Sequence, residues 1–520
     1  MKYGFVIDNR KCIGCHACTV ACKSEHDVPI GVNRTWVKQT EKGEFPNTRR
    51  VFSVLRCNHC TDAPCVEICP VEALFVRDDG VVDFNNDRCI GCKSCMQACP
   101  YDALYIDPET NTAAKCNYCA HRIDIGLEPA CVNVCPEHAI ISGDMENPET
   151  EIAQLLSREQ VTVRKPEKDT KPNVYYIDGD EASLTPSLTE RSDQYIWSSQ
   201  DKGVGHYAKF ADQLVAQKAS KSTTNVEALM NAASPRRVYD TPDKGVLWGW
   251  EVSAYLFTKA ISAGVFLMTF FTWVSGNSQL VDPQTWWWVL GLSLFFLTAT
   301  GVFLVKDLDQ PKRFLYVLLR PQWNSWLVRG GYFITAFGGL LTLWGALMYF
   351  DNWEFVQPIF WLTALFAFLT AVYTAFLFAQ AKGRDFWQSP VLPIHMVLHS
   401  LIGGSAMLLV INATMEMSMS WESLLSKSLF WLLMANLVIV LFELFITHPT
   451  RDAKMVAKMI TQGRYSRLFW GGVVVFGSLL PASILWSGAY SGLIPATCAL
   501  IGLYLSEHIW VQAPQKITLT

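Results

Sequence analysis

The sequence predicts an α+β, cysteine-rich domain followed by an all-α bundle of eight transmembrane helices. Sixteen of the 17 cysteines of the 520-residue chain lie between Cys12 and Cys135. Eight apolar stretches, each about long enough to cross a bilayer, follow Leu247. A polar stretch rich in Ser, Thr, Lys and Asp separates the two parts. The expected boundaries are 1–178 for the cysteine-rich domain, 179–245 for a linker or extension, 246–512 for the membrane domain and 513–520 for a tail.

Composition excludes several classes of protein. Hydrophobic residues make up 50% of the chain and charged residues 17%, whereas soluble chains average about 25% charged residues. The net charge of -4 argues against binding to nucleic acid, and the high apolar content argues against disorder. The first residues show no export signal. Because the chain has no phosphate loop, dinucleotide motif or nucleophile constellation, we expect no substrate-converting site of its own.

The clustered cysteines form four groups of four. Groups one and three share the spacing C-x2-C-x2-C-x3-C, and groups two and four widen one gap. Three of the four groups end in Cys-Pro. This run is the ferredoxin signature, in which three thiolates hold one [4Fe-4S] cluster and the fourth reaches a neighbouring cluster. The sequence therefore predicts a ferredoxin-like domain with four [4Fe-4S] clusters.

A short repeat indicates which groups share clusters. The segments ICPVEALFV and ACPYDALYI pair groups two and three, which leaves groups one and four together. The expected ligand sets are Cys57, Cys60, Cys65 and Cys99; Cys89, Cys92, Cys95 and Cys69; Cys12, Cys15, Cys18 and Cys135; and Cys116, Cys119, Cys131 and Cys22. Zinc is the alternative, but zinc sites favour two cysteine pairs separated by a spacer. Eight disulfides fit the tight fourfold runs less well still.

Longer segments around these cysteines resemble a known family. The phrases CNHCTDAPCVEICP, KCNYCAHRIDIGLEPACVNVCP and GDMENPETEIAQLL look like the four-cluster electron-transfer subunits of molybdenum-pterin oxidoreductases, of the dimethyl sulfoxide and polysulfide reductase type. The resemblance covers residues 1–178. It implies a molybdenum-pterin catalytic subunit as the partner of this chain.

The apolar stretches predict membrane helices and their orientation. They cover roughly 250–275, 286–305, 330–350, 355–379, 391–412, 428–447, 469–488 and 491–511. Three connections expected on the side of the cysteine-rich domain carry twelve Lys or Arg, and the opposite connections carry one Lys. The positive-inside rule then places the cysteine-rich domain in the cytoplasm, on the inner membrane of a bacterium or archaeon.

The membrane half resembles the NrfD-type quinone-reactive anchor of polysulfide reductase, in the segments WGWEVSAYLFTKAISAGVFL and KDLDQPKRFLYVLLRPQWNSWLVRGGYF. The resemblance implies eight helices, no haem, and menaquinone or ubiquinone as membrane substrate. Asp309, Pro311 and Arg313 match the acidic-x-Pro-x-Arg-Phe element of that family. Tyr255 falls where a relative uses a quinone-contacting side chain.

Ionisable residues within the apolar stretches support a quinone site independently, because charged groups are costly in lipid. The half of the bilayer nearest the cysteines holds Glu251, Lys259, His395, His399, Glu443 and His508, and the distal half holds little beyond Asn412 and Glu416. Glu251 and His395 complete the candidate quinone set. Simpler explanations are mutual neutralisation of Lys259 and Glu443, and a structural, haem-ligating or proton-relay role for His395 and His399.

Together these features predict the electron-transfer and membrane-anchor parts of a quinone-linked respiratory complex, fused in one chain. Electrons would pass between membrane quinone and a molybdenum-pterin subunit. The alternatives are a redox-driven proton-translocating module, an anchor for a hydrogenase or another partner without molybdenum, and a membrane receptor that senses redox state.

Overall fold

A computed structural model describes residues 1–43, 47–189, 235–242, 244–281, 283–350, 353–415, 419–488 and 492–520. The predicted fold class is confirmed. An α+β domain carries the clustered cysteines, and in the described ranges after it eight helices are long and apolar enough to cross a membrane.

The cysteine-rich domain is built on a four-stranded sheet with strand order β8-β1-β10-β9. Its central strand β1 is the apolar run YGFVID, which pairs with β10 in parallel and with β8 antiparallel. A second sheet has the order β11-β2-β3. The strands within the described residues are β1 Tyr3–Asp8, β2 Thr35–Lys42, β3 Arg49–Arg56, β4 Leu74–Val76, β5 Val82–Phe84, β6 Tyr105–Asp107, β7 Thr112–Ala114, β8 Ile140–Asp144, β9 Val161–Thr162, β10 Val174–Ile177 and β11 Arg236–Tyr239.

Two small hairpins explain the sequence repeat. The segments ALFV and ALYI each follow a Cys-Pro pair and become the first strands of hairpins β4–β5 and β6–β7. Each hairpin closes through a residue of positive φ, Gly80 at 79° and Asn111 at 53°. Glycine and asparagine adopt such values more readily than other residues. Each repeated cysteine group is thus followed by the same supersecondary unit.

Short helices carry many of the cysteines, and longer helices form the membrane part. The helices of the first domain are α1 Ala17–Glu25, α2 Pro64–Glu67, α3 Ser94–Ala98, α4 Ala120–Ile123, α5 Ala130–Asn133, α6 Glu151–Arg158 and α7 Glu181–Leu184. Those that follow are α8 Trp250–Thr272, α9 Pro283–Lys306, α10 Tyr316–Leu319, α11 Trp326–Tyr349, α12 Trp353–Gln380, α13 Leu392–Met415, α14 Met419–Phe445, α15 Arg451–Thr461, α16 Leu480–Ser487 and α17 Leu493–Gln512. A π-helical segment, Leu468–Leu479, leads directly into α16.

Helix α8 lies at the centre of the bundle. Of its most apolar stretch 89% is buried inside the protein, against 22% for α11. Close packing of α8 against α13 depends on two glycines, since a Cβ atom at Gly264 would collide with the Ser400 carbonyl and one at Gly404 would collide with Gly264. These glycines therefore act as packing residues, as small residues do in lipid.

One helix was not expected from the sequence. Helix α15 lies in a connection between two apolar stretches. The sequence predicts a charged loop there, because this segment contains Arg and Lys and is too short to span the membrane. Val456, Ala457 and Ile460 form its buried face, and the Thr450 hydroxyl caps its first turn by accepting from the Ala453 amide. It is an amphipathic helix between two membrane helices.

The two domains pack together at one end of the bundle. The loop after α9 joins the cysteine-rich domain through backbone bonds from Asp309 to Gly91 and from Gln310 to Ile90. A Cβ atom on Gly91 would collide with Asp309, so the close approach depends on this glycine. The Gln515 side chain accepts hydrogen bonds from Gln97 of one domain and from the Trp248 backbone at the entry to the other.

Part of the predicted linker belongs to the cysteine-rich domain. Residues 181–188 form α7 and a short 3-10 turn, and β11 pairs with β2 along Arg236–Tyr239. Residues 190–234 of that linker lie outside the described residues. The predicted tail, 513–520, is buried between the domains, where Arg384 donates to the carbonyls of Pro514 and Ile517.

Candidate electron-transfer and quinone site

Two of the four expected cysteine sets line cavities. One cavity is bounded by Cys69, Cys89, Cys92 and Cys95. A second is bounded by Cys12, Cys15, Cys18 and Cys135. No disulfide joins any of the seventeen cysteines. No three Cys, His, Asp or Glu side chains in the described ranges are grouped closely enough to hold a single metal ion.

All cysteines of the other two sets are buried. Burial and the thiols of Cys99, Cys57 and Cys60 raise the pKa of Cys65 well above its usual value. Burial and the thiols of Cys116, Cys131 and Cys119 likewise raise the pKa of Cys22. In both sets the fourth cysteine of one group is close enough to interact electrostatically with cysteines of its partner group.

Backbone geometry directs amide groups towards these thiols. In groups one and three the same turn recurs, with positive φ at Gly14 and His16 and at Gly91 and Lys93. The amides of Ala73 and Ala139 each donate to a cysteine sulfur, Cys69 and Cys135, over 3.2 Å. Hydrogen bonds to ligand sulfurs raise the reduction potential of iron-sulfur clusters and stabilise their bound form, so this chain's residues fit such cofactors.

Basic side chains also reach the cysteines. Arg56 is 1% exposed, donates to Cys131 Sγ over 3.1 Å and lies 4.3 Å from the centre of the Phe5 ring. His26 Nε2 lies 3.2 Å from Cys119 Sγ, and burial and the nearby Arg34 lower the pKa of His26 to about 4. His26 has no sequence motif that would have singled it out.

Four histidines lie within three residues of a cysteine in the sequence, and their side chains contact groups other than the cysteine sulfurs. His16 contacts Gln39, His121 pairs with Glu25, and His138 pairs with Glu151. His59 is buried, and its Nδ1 accepts from the Val82 amide.

A mainly apolar cavity joins the two domains. It has a volume of about 220 Å³ and lies where α8, α9, α11 and α12 meet the loop that carries Cys92. Its polar wall residues include Tyr255, Asp307 and Tyr373. The indole of Trp248, also in the wall, donates to the Cys92 carbonyl over 3.1 Å. A membrane cavity therefore shares a wall with one of the expected cluster ligands.

Of the five candidate quinone residues, Tyr255 alone lines this cavity. Asp309 forms an ion pair with Lys93 over 3.0 Å, and Arg313 donates to the carbonyls of Asn86 and Cys89. Both side chains thus hold the two domains together. Glu251 pairs with Lys306 over 3.6 Å. His395 lies in a separate buried group.

Sequence reasoning missed two polar residues of the cavity, Asp307 and Tyr373. Burial raises the pKa of Asp307 to about 7, with Lys93 opposing and Glu251 and Asp309 adding to the increase. Asp307 directly follows α9, so the sequence presents it as an ordinary charged loop residue. Tyr373 carries no charge, and the sequence presents it as an aromatic residue of an apolar helix.

The separate buried group contains the two histidines of α13. His395 Nδ1 lies 3.7 Å from the Glu443 carboxylate, and His399 Nδ1 lies 2.6 Å from that of Glu507. Lys259 donates to Thr374 Oγ1 over 2.6 Å. The suggested neutralisation of Lys259 by Glu443 is therefore wrong, because Glu443 faces His395. The sequence reasoning did not name Glu507.

Comparison with known proteins identifies the membrane half. Residues 241–511 match the family described as polysulphide reductase, NrfD, and this match covers more than half of the chain. The chain belongs to the NrfD family. Ahead of the NrfD region, residues 11–74 and 49–145 each match a family of 4Fe-4S dicluster domains.

Curated relatives match the part that precedes the NrfD region. A tetrathionate reductase subunit of Salmonella typhimurium is 46% identical over 201 residues, covering 38% of this chain and 80% of the relative. A polysulfide reductase subunit of Wolinella succinogenes is 41% identical over 181 residues, covering 34% of this chain and 94% of the relative. A putative dimethyl sulfoxide reductase iron-sulfur subunit of Halobacterium salinarum is 36% identical over 209 residues, covering 34% of this chain and 80% of the relative. The chain therefore fuses an iron-sulfur electron-transfer subunit to a NrfD-type multi-pass membrane anchor.

Proposed function

We propose that the chain carries electrons between a quinone in the membrane cavity and a molybdenum-pterin catalytic subunit. The main support for the proposal is that Cys92 of the cysteine-rich domain and Tyr255 of the membrane domain line the same cavity. A redox-active membrane molecule in this cavity would lie next to a cysteine of the electron-transfer domain. The quinone would be menaquinone or ubiquinone, whose apolar ring and tail suit the mainly apolar wall.

We further propose that the domain holds four [4Fe-4S] clusters, with the four ligand sets expected from the spacing. The two cysteine-lined cavities, and the close grouping of the other two sets, support this count. When bound, each such cluster carries one electron. The surrounding protein supplies thiolates, amide donors and the buried guanidinium of Arg56.

Quinone is proposed to enter from the lipid. The wall residues Phe314 and Thr335 are exposed, and they lie on the loop after α9 and on the peripheral helix α11. The polar groups lie further inside, at Tyr255, Tyr373 and Asp307. A quinone head can thus meet proton-exchanging groups while its tail stays in an apolar environment.

The catalytic partner is proposed to bind at the surface of the cysteine-rich domain around Cys15. There Cys15 is exposed, and the neighbouring side chains Ile13 and Val20 are 56% and 65% exposed. The relatives named above are subunits of reductases, which supports a reductase catalytic subunit as the partner.

The cysteine-rich domain is proposed to face the cytoplasm, on the inner membrane of a bacterium or archaeon. The loops that contact this domain, after α9 and after α12, belong to the set that carries twelve Lys or Arg. Protease protection in vesicles of known orientation tests this. Cleavage of the cysteine-rich domain from the periplasmic side alone would overturn it.

Filling the cavity should block quinone chemistry. A Cβ atom at Gly331 meets Val317 at 3.5 Å, which is an ordinary contact, so a Gly331→Phe side chain would enter the cavity without a backbone collision. We expect quinol-driven reduction of the clusters to fall about tenfold or more, as for loss of substrate positioning. The rate is measured anaerobically from the iron-sulfur absorbance after mixing with quinol.

The matched control is Gly339→Phe, two turns further along α11, where a Cβ atom meets nothing within 4 Å. It should retain the wild-type rate. Equal rates for wild type and Gly331→Phe, with iron content unchanged in both, would contradict a quinone site in this cavity.

A further inference from the structure

A row of buried ionisable side chains begins at the cavity wall. Lys259 Nζ lies 4.7 Å from the centre of the Tyr373 ring and donates to Thr374 Oγ1, beside the wall residue Tyr255. Glu507 of α17 is close enough to influence the charge of Lys259 through space, although no ion pair joins these two described side chains. We call the row the relay; its members are Lys259, Glu507, His399, His395 and Glu443.

The relay continues across α13 to α14. His399 Nδ1 meets Glu507 Oε1 at 2.6 Å, and the rings of His399 and His395 lie 4.0 Å apart. His395 Nδ1 then lies 3.7 Å from Glu443. All five members are 4% exposed or less, although ionisable groups in the membrane are costly.

The relay ends at the surface that bears the cysteine-rich domain. Ser389, in the loop after α12, faces the Glu443 carboxylate, although both oxygens of that carboxylate make no hydrogen bond within the described part of the chain. Ser389 is half-buried, and its neighbours Gln388 and Pro390 are exposed. The outer end of the relay is therefore within reach of water on the cluster side.

Several relay atoms have no fixed partner. Both ring nitrogens of His395 and the Nε2 atom of His399 make no hydrogen bond within the described part of the chain. Buried polar atoms are normally paired, and unpaired ones call for an explanation. Imidazole nitrogens that can gain or lose a proton, placed between two carboxyl groups, suit proton exchange.

We propose that the relay moves protons between the quinone cavity and the cluster-side surface at Ser389. The inference rests on the proposed quinone site. Oxidation of one quinol breaks two O–H bonds and releases two electrons and two protons. The electrons would pass to two oxidised [4Fe-4S] clusters, one each. One proton would pass to Asp307 in the cavity wall, and the other would leave through Lys259, the two carboxyl–histidine pairs and Ser389.

The relay does not cross the bilayer. Between His399 and Asn412, α13 has no ionisable residue over a rise of about 20 Å. Near the far side Asn412 donates to Glu422, which also accepts from the Gly492 amide. Glu416, the other distal residue named from the sequence, lies outside the described residues. Quinone protons should thus be exchanged on the same side as the clusters.

The test compares Glu443→Gln with Glu422→Gln, two substitutions near opposite ends of α14. Glutamine keeps the size and the hydrogen-bond acceptor but cannot carry the proton. In sealed vesicles of the full chain, turned over with quinol and a chemical electron acceptor, three quantities are measured: the quinol oxidation rate, its solvent deuterium isotope effect, and the side on which a pH dye reports acidification.

We expect Glu443→Gln to slow oxidation about tenfold and to raise the isotope effect, while Glu422→Gln leaves both unchanged. Wild-type vesicles should acidify the cluster side. The relay is overturned if wild type acidifies the far side, or if Glu443→Gln matches wild type. Should Glu443→Gln fail to fold, the wild-type acidification alone decides. If wild-type clusters are not reduced by quinol at all, the proposed function fails instead.

Discussion

Replacing Cys99 by alanine should remove the cluster of group two rather than that of group three, in whose sequence run Cys99 stands. The Cys99 thiol helps to raise the pKa of Cys65 and also that of Cys60. Cys65 and Cys60 both belong to group two. We expect the iron content to fall from about sixteen to about twelve atoms per chain, since each [4Fe-4S] cluster holds four. Electron transfer across the domain should be lost.

Iron analysis and electron paramagnetic resonance of the reduced protein measure this outcome. Cys498→Ala is the matched control, because Cys498 lies alone in α17 and its replacement should keep the full iron content. Loss of the group three signal with retention of the group two signal would show that each group holds its own cluster. The crossing arrangement would then be wrong.

Replacing Asp307 by asparagine should slow quinol oxidation by on the order of 10²-fold, which is the usual loss when a proton-accepting group is removed. Asparagine preserves the shape of the residue, so the cavity and the iron content should remain. A buried carboxyl with a pKa of about 7 can take a proton from quinol and pass it on near neutral pH.

The pH dependence of the quinol oxidation rate should also reflect the ionisation of Asp307. Asp307 accepts a proton only when ionised, and burial raises its pKa to about 7. The wild-type rate of quinol oxidation should therefore rise as pH increases through about 7, and the Asp307→Asn variant should lack this rise. Stopped-flow rates from about pH 5.5 to about pH 8.5 measure the difference between the two proteins.

The Asp309→Asn substitution tests whether Asp307, which lines the cavity, or Asp309, which the sequence suggested, acts on the quinone. The structure has Asp309 paired with Lys93 outside the cavity wall, so this substitution should cost much less than Asp307→Asn. If Asp309→Asn slowed quinol oxidation more than Asp307→Asn, the quinone site would lie at Asp309 and Arg313, as the resemblance to the family implied.

The sequence predicted those features that depend on local spacing. Cysteine runs and stretches of about 20 apolar residues each report on a few neighbouring residues, so the cysteine-rich domain and the eight helices could be predicted. The repeat ICPVEALFV and ACPYDALYI likewise predicted two equivalent units, and each became a hairpin.

The sequence could not predict which polar groups from distant helices meet. Asp307 and Asp309 are two residues apart, yet one lines the cavity and the other joins the domains, because the chain turns after α9. Glu507 lies 108 positions after its partner His399. No local pattern distinguishes such residues from charged groups at a helix end.

The location of bound quinone is the decisive measurement for the proposed cavity. A photoreactive quinone, illuminated in vesicles containing the full chain and mapped by mass spectrometry, labels the residues nearest its ring. We expect labels on Tyr255, Tyr373 or residues 301–335, and their loss in Gly331→Phe. Labels confined to the far side, around Asn412 and Glu422, would contradict it.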